Sequence, residues 1–414
     1  MTLTNTQCDC LLVDLMRAPQ EVSERQLRDL SPENWDRIIE RGTDHRCLSY
    51  LDWSLDHVPG VGRPDVIKAM RKRWAMRALM VLRECVLIHR LFEEHGIRYA
   101  FLKGIPLAFA YYPQSWMRPY RDIDILVEPD RLGDAYDLLL NLGGPVRYES
   151  ENSEELPEEE KHLPAVWSPN KAIPVELHDK IIAPDPRMNE ATRLELHKKV
   201  LSDLETVNLG AAELPAPSRE MMFVHVIIHG VLNHELNNGP LFLTDIIYLL
   251  EGRAPLDQEK LDDLITSLGV ENAVVFALSI LPEKYHSAWA KGAALIESSP
   301  RISDAALATL LLQSGQSRSE VKLYATLDDM SYKSWFRLML SNVFASREKM
   351  ATRWAGIKGY DTPAPSNPVS LWFWFISSVG VQVLGRTKPP SGVSETTSAL
   401  RSLRTALSGA PDRK

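Results

Sequence analysis

Two aspartates separated by a single residue, Asp122 and Asp124, lie in a segment that alternates with aliphatic residues. A β-strand sends successive side chains to opposite faces, so Ile123, Ile125 and Val127 can enter a core while both carboxylates share the other face. Such a face can bind one Mg²⁺ or bracket two ions about 3.5–4 Å apart. On the alternation alone, a half-buried strand with a solvated acidic face is the simpler interpretation, so the neighbouring motifs must decide.

A glycine turn precedes this strand along the chain. The β-rich run 97–102 leads into Lys103 and Gly104, and the next residues predict a short helix with Pro106 in its first turn. Backbone N–H groups and the helix dipole favour a bound phosphate at such a helix start, and Lys103 would add a full positive charge. We therefore predict a phosphate contact at Lys103 and Gly104. The alternative is an ordinary turn in which Gly104 only relieves the backbone φ angle.

A third acidic residue lies in a second alternating segment, where Val175 and Leu177 alternate with Glu176 and His178. This pattern predicts a strand that begins near Pro174 and holds Glu176 and His178 on one face. Three carboxylates on adjacent strands suit phosphoryl-group chemistry, in which two hold metal ions and the third completes a metal shell or accepts a proton. Taken alone, Glu176 also fits a solvated strand position.

In this order, the motifs resemble the uncharacterised nucleotidyltransferase family of the polymerase-β-like superfamily. The residues that carry the resemblance are the Lys103-Gly104 pair, the run from Arg118 to Val127, the run from Val175 to His178, and the helical segments 223–229 and 243–245. The resemblance covers roughly residues 60–260, and the order of the motifs is more specific than any one of them. It implies an α+β fold, in which a small mixed-sheet nucleotidyltransferase core is flanked by N-terminal helices and a C-terminal helical domain.

The resemblance also implies roles for the acidic residues and for their ligands. Asp122, Asp124 and Glu176 would be the catalytic acids and would bind Mg²⁺ or Mn²⁺. The substrate would be an NTP such as ATP, whose triphosphate would contact Lys103 and Gly104. The wider superfamily more often has Gly-Ser or Gly-Gly before its first acid, so the Lys-Gly pair departs from the common pattern.

Three further residues complete the predicted nucleotide site. Arg118 and Arg121 suit the stabilisation of phosphate charge, because guanidinium groups match phosphate oxygens bidentately. The alternative role for both arginines is to neutralise the crowded aspartates. His178 shares the predicted strand face with Glu176 and is included in the site.

Chain length predicts more than one structural unit, because 414 residues exceed the usual single-core size of about 250–300 residues. We predict an N-terminal helical region over residues 1–95, a catalytic core over 96–215 with a solvated acidic insert near 149–161, and a C-terminal helical domain over 216–414. A long helix is expected from Pro64 to His95, with an apolar face and a basic, solvated one.

Two histidines of the helical domain, His225 and His229, stand four residues apart on one face of a predicted helix that Ser218 would cap. They are candidate substrate-facing residues, and so is Asp245, which is also a candidate hydrogen-bond partner for them. A histidine pair can also bind metal, which leaves open a metal-dependent phosphohydrolase of the His-Asp type. That class needs an adjacent His-Asp pair, which this segment lacks.

Composition restricts the classes of partner. The formal net charge of −8 argues against generic nucleic-acid binding through a basic field, and four cysteines without disulfide spacing predict a reduced, cytoplasmic setting. Residues 369–384 are uncharged, but they are shorter than the stretch of about 20 residues that spans a bilayer. We predict a buried or interfacial helix there, with peripheral membrane contact left open.

The resulting hypothesis is Mg²⁺-dependent transfer of a nucleoside monophosphate from an NTP to a hydroxyl or phosphate, with release of pyrophosphate. The acceptor could be a small molecule, a sugar, a peptide or a protein, and the sequence does not choose among them. A non-enzyme alternative is a degenerate nucleotidyltransferase that acts as a binding or antitoxin-like partner. The presence of all three acids argues against degeneration.

Overall fold

The computed structural model describes residues 3–58, 60–62, 64–146, 163–182, 190–209, 212–252, 254–299, 301–313, 321, 350, 367, 369–373 and 391–408. The predicted acidic insert near 149–161 and residues 374–384 of the predicted apolar helix lie outside this set. The chain forms two compact units. The larger comprises Met1–Arg147, Ser153–Gln313 and Ser402–Lys414, and the smaller comprises Tyr148–Asn152 and Ser314–Arg401.

Helices fill the N-terminal part of the larger unit before any strand appears. Their bounds are α1 (Asn5–Arg17), α2 (Glu24–Arg28), α3 (Pro32–Asp44), α4 (Leu48–Leu55) and α5 (Asp65–Glu94). The long helix predicted from Pro64 to His95 is confirmed by α5. Its buried residues, including Val81, Ile88 and Phe92, follow helical spacing and form one face.

A four-stranded mixed sheet follows, and its order places the second and fourth strands side by side. The strands are β1 (Tyr99–Phe101), β2 (Ile123–Val127), β3 (Val166–Trp167) and β4 (Pro174–His178), arranged in the order β1-β2-β4-β3. β2 is antiparallel to β1 and parallel to β4, whereas β3 is antiparallel to β4. The two predicted strands that carry acids are therefore neighbours.

The connections place helices against this sheet. A short helix, α6 (Gly104–Pro106), continues into a π-helical turn (Leu107–Tyr111) after β1, and α7 (Leu132–Gly143) follows β2. The aliphatic side chains of β2 pack in one core cluster with buried residues of α5 and α7. This packing buries the face of β2 that carries Ile123, Ile125 and Val127, whereas Asp124 is buried on the opposite face of the strand.

Helix α5 also holds the turn between β3 and β4. Glu84 on α5 is 2% exposed, and its carboxylate accepts hydrogen bonds from the backbone N and the Nδ2 of Asn170 at 3.0 and 2.9 Å. Within the turn, Ser168 Oγ accepts hydrogen bonds from the backbone N–H groups of Ala172 and Ile173. These contacts fix the point at which β4 begins.

We expect Glu84→Ala to lower the free energy of unfolding by about 2 kcal/mol, because two charge-assisted hydrogen bonds and a buried side chain are lost together. Urea unfolding measures the change. Glu94→Ala, which truncates an exposed glutamate at the end of the same helix, is the matched control and should change stability little. Equal stability of the two variants would contradict a structural role for Glu84.

Beyond β4 the described part of the larger unit is mainly helical, and between α8 and α9 it contains a β-hairpin that the sequence patterns did not reveal. Its elements are α8 (Glu190–Ser202), β5 (Leu204–Asn208), β6 (Glu213–Pro217), α9 (Arg219–Ile227), a π-helical turn (Ile228–Asn233), α10 (Leu241–Leu250), α11 (Gln258–Leu268), α12 (Glu271–Ser279), α13 (Ala290–Ser298) and α14 (Asp304–Leu311). The predicted cap of α9 is confirmed, because the Ser218 side chain accepts a hydrogen bond from the backbone N–H of Met221.

The last described helix is α15 (Ser391–Ser408). Within the described part of the chain, no helix is both long enough and apolar enough to cross a membrane. The predicted α+β class is confirmed by the combination of these helices with two small sheets.

Candidate active site

The parallel pairing of β2 with β4 brings acidic side chains from the two strands together. In the register of the sheet, Asp124 lies directly opposite Glu176, and His178 lies opposite Leu126 two positions further on. Since side chains alternate along a strand, Glu176 and His178 share a face. Ligand atoms of Asp124, Glu176 and His178 all lie within 4.8 Å of one another.

Asp124 is the centre of this cluster. Its side chain is 6% exposed, and its Oδ1 atom accepts hydrogen bonds from Lys103 Nζ at 2.6 Å and from His178 Nε2 at 2.7 Å. Burial opposes ionisation, but the Lys103 charge and the His178 hydrogen bond outweigh it and hold the pKa of Asp124 well below its usual range. Asp124 is therefore a fully ionised carboxylate.

The pKa of Asp122 is shifted in the opposite direction. It lies just before β2 and is half-buried. Burial, together with the charges of Asp124 and Glu176, raises its pKa to about 6, against a lowering contribution from Lys103 and Arg121. Two carboxylates two residues apart thus differ in their affinity for a proton, because Asp124 accepts a hydrogen bond from the Lys103 ammonium group whereas Asp122 lies beside the charges of Asp124 and Glu176.

The donor set fits a divalent cation. Carboxylate oxygens are the ligands that Mg²⁺ prefers, and Mn²⁺ also tolerates the imidazole nitrogen of His178, which would bind a cation only in its deprotonated form. The like-charge crowding that raises the pKa of Asp122 is the repulsion that a bound cation would relieve. His178 joins the closely spaced ligand group, and Asp122 stands beside that group rather than within it.

The positive φ angle of the Lys103-Gly104 turn is at the lysine and not at the glycine, where it was expected. Lys103 has φ of 47° and ψ of −111°, whereas Gly104 does not have a positive φ. The unfavourable backbone conformation is therefore at the lysine, where such strain is typical of functional sites. Glycine at 104 is instead required by space, because a Cβ atom there would lie 2.7 Å from Nη1 of Arg118.

Arg118, predicted to contact phosphate, is paired with Asp245, predicted to face the substrate. Its Nε and Nη2 atoms donate to the two carboxylate oxygens of Asp245 at 2.7 and 2.9 Å. Tyr112 Oη donates to Oδ1 of Asp245 at 2.6 Å. Asp245 belongs to α10, so this network joins the helical part to the glycine turn. Sequence patterns gave no signal for the contribution of Tyr112.

The remaining predicted residues lie outside the acidic cluster. Arg121 is exposed, and its positive charge acts to lower the pKa of Asp122. His225 is buried on α9, and its ring centroid is 6.4 Å from that of His229, which in turn is 4.3 Å from that of His234. Among the residues that the structure describes, these histidines do not form a closely spaced group of three potential metal ligands.

The fold and the site together define a protein that gathers carboxylates on adjacent strands beside a lysine-glycine turn, an arrangement suited to metal ions and phosphate groups. The sequence model of the uncharacterised nucleotidyltransferase family matches residues 31–285, more than half of the chain. The chain therefore belongs to this family. A comparison with curated proteins gives no match.

Proposed function

We propose that this protein transfers a nucleoside monophosphate from an NTP to a hydroxyl or phosphate acceptor and releases pyrophosphate. The observation that carries the proposal is the register that sets Asp124 opposite Glu176 on parallel strands, with Lys103 and His178 on the same carboxylate oxygen. Family membership supports nucleotidyl transfer as the reaction class.

In this proposal Asp122, Asp124 and Glu176 hold Mg²⁺ or Mn²⁺, with His178 beside them. The bound cation supplies charge neutralisation on the phosphates and on the leaving pyrophosphate. Lys103 neutralises Asp124 while no cation is bound, and its ammonium group would be free to bind phosphate oxygens once a cation replaces it. Glu176 either completes the cation's shell or accepts the proton of the attacking hydroxyl.

The second side of the proposed site is the Gly104 turn with Arg118. Arg118 places a guanidinium nitrogen against this turn, where the triphosphate would lie. Positioning and charge neutralisation account for most of the rate enhancement in reactions of this class, because the protein itself forms no covalent bond to the substrate.

The direct test uses NTPs labelled at either the α or the γ phosphate, with Mg²⁺ and cell extract as the source of acceptor. The α label should enter an acceptor, and the γ label should be released as pyrophosphate. Asp137→Asn, which changes an exposed aspartate on α7, is the control and should retain full transfer. Transfer of the γ label to an acceptor would identify a kinase and refute the proposal.

Gly104→Ala should weaken NTP binding by about tenfold, because the new methyl group displaces an arginine that Asp245 already holds by two hydrogen bonds. Thermal stability should also fall, because the displaced arginine belongs to the buried pair with Asp245, although the backbone at Gly104 does not need a positive φ. Calorimetric titration with Mg·ATP measures the affinity. Gly133→Ala, at an exposed helix position with no atom near the added methyl group, is the matched control. Equal affinity of both variants and the wild type would contradict the proposed contact.

A further inference from the structure

The Arg118–Asp245 pair has the features of a fixed side-chain arrangement. The two side chains are 16% and 6% exposed, and both carboxylate oxygens bind the same edge of the guanidinium group. A bidentate pair of this kind fixes the plane as well as the position of the arginine. The residues are 127 positions apart, so the pair exists only because α10 packs beside the core.

Asp245 is itself held in place. Tyr112 Oη donates to its Oδ1 atom at 2.6 Å, and Thr244 Oγ1 lies 2.6 Å from the same hydroxyl. Burial, with the charge of Asp245, raises the pKa of Tyr112 well above its usual value, so the phenol keeps the proton that it donates. Asp245 thus receives three hydrogen bonds from two side chains, and rotation of its carboxylate would break them.

The third guanidinium nitrogen, Nη1, is turned away from Asp245. It faces the Gly104 turn, where a Cβ atom would be only 2.7 Å away. Within the described part of the chain, Nη1 makes no hydrogen bond, whereas Nε and Nη2 are both engaged. Two N–H groups are therefore presented beside the turn that is proposed to contact phosphate.

We propose that Asp245 is a positioning residue that aims Nη1 of Arg118 at the triphosphate of the nucleotide. The inference rests on the proposed function and adds a contribution from α10 of the helical part. Asp245 would not touch the substrate, because both of its carboxylate oxygens are engaged by Arg118. It would instead keep the arginine oriented before the nucleotide arrives, so that binding does not have to order a long side chain.

A solely structural pair would also destabilise the protein when broken, so stability cannot decide between the two roles. Affinity can, through a double-mutant cycle that combines Asp245→Asn with Arg118→Lys. If Asp245 acts through Arg118, replacing Asp245 should lower the affinity for a polyphosphate only in the protein that retains Arg118. A structural role would lower stability in both backgrounds and leave the affinity for a polyphosphate unchanged.

The experiment is calorimetric titration of the full chain with Mg·ATP and, separately, with inorganic tripolyphosphate, which carries no base. We expect Asp245→Asn to lower the affinity for both ligands about tenfold and to cause no further loss of affinity in the Arg118→Lys background. Tyr112→Phe, which removes one hydrogen bond and keeps the ring, should give a smaller loss in the same direction. It provides the measurement if Asp245→Asn does not fold.

Asp52→Asn is the matched control. Asp52 is fully buried and accepts a hydrogen bond from Arg71 Nε at 2.6 Å, so the variant breaks a comparable ion pair on α4 and α5. It should lower stability without changing affinity for either ligand.

Unchanged affinity in Asp245→Asn and Tyr112→Phe would overturn the inference, as would additive losses in the cycle or failure of the wild type to bind both ligands. The proposed function can fail separately. If the effects of Asp245→Asn and Arg118→Lys on affinity are coupled but no α label is transferred, the positioning role is supported and nucleotidyl transfer is rejected. If the α label is transferred but the two effects are not coupled, nucleotidyl transfer is supported and the positioning role is rejected.

Discussion

Asp124→Asn is expected to reduce nucleotidyl transfer by about a thousandfold or more, because the one carboxylate shared by Lys103, His178 and the proposed cation loses its charge. The labelled-NTP assay measures this loss. Asp137→Asn provides the control for the substitution itself, since its side chain is exposed and lies in the middle of α7, outside the strands that carry the acidic cluster. Transfer at the wild-type rate by Asp124→Asn would remove Asp124 from the proposed mechanism.

The same variant is expected to be less stable by about 3 kcal/mol at pH 7, because the largely buried Lys103 ammonium group loses the carboxylate to which it is hydrogen-bonded. The sign follows from the lowered pKa of Asp124, for which ionisation stabilises the fold above its ordinary value of 3.8. The stabilisation is lost as the pH falls below that value. Urea unfolding of the two proteins should therefore show the largest difference near neutral pH.

Asp122→Asn is expected to reduce transfer to a similar extent and yet to increase stability. Its raised pKa means that the folded protein binds the Asp122 proton more strongly than the unfolded chain does. Stability consequently falls as the pH rises from 3.8 to about 6, and the full penalty remains above that range. The pKa shift corresponds to an upper limit of about 3 kcal/mol, which partial solvent exposure reduces to about 1–2 kcal/mol.

Urea unfolding in the presence of a chelator tests this prediction. At pH 8, Asp122→Asn should be more stable than the wild type by the amount given above, and at pH 4 the two proteins should be nearly equal. A loss of stability at pH 8 would show that like-charge repulsion does not dominate at Asp122. The opposite signs for Asp122→Asn and Asp124→Asn are the clearest test of the site, because a general effect of substitution would shift both in one direction.

Short-range patterns determined much of the core. The alternation of aliphatic and acidic residues predicted β2 and β4, and the spacing of apolar residues predicted α5, because side-chain direction in a strand or helix depends on the local backbone repeat. The order of the motifs also predicted the family that matches residues 31–285. The boundary of β2 was less well determined, since the strand begins at Ile123 and leaves Asp122 at its edge.

The sequence by itself thus determined which residues are chemically capable of holding a cation and phosphate. Only the tertiary structure decided how they pair: Lys103 and His178 meet on one oxygen of Asp124, and Arg118 is held by Asp245. It also showed that Lys103, rather than Gly104, has the positive φ and that Gly104 makes room for Arg118. The physical reason is that these contacts join segments up to 127 residues apart. Local backbone preferences carry no information about contacts between such distant segments, because these contacts depend on how α10, the turn and the sheet pack together.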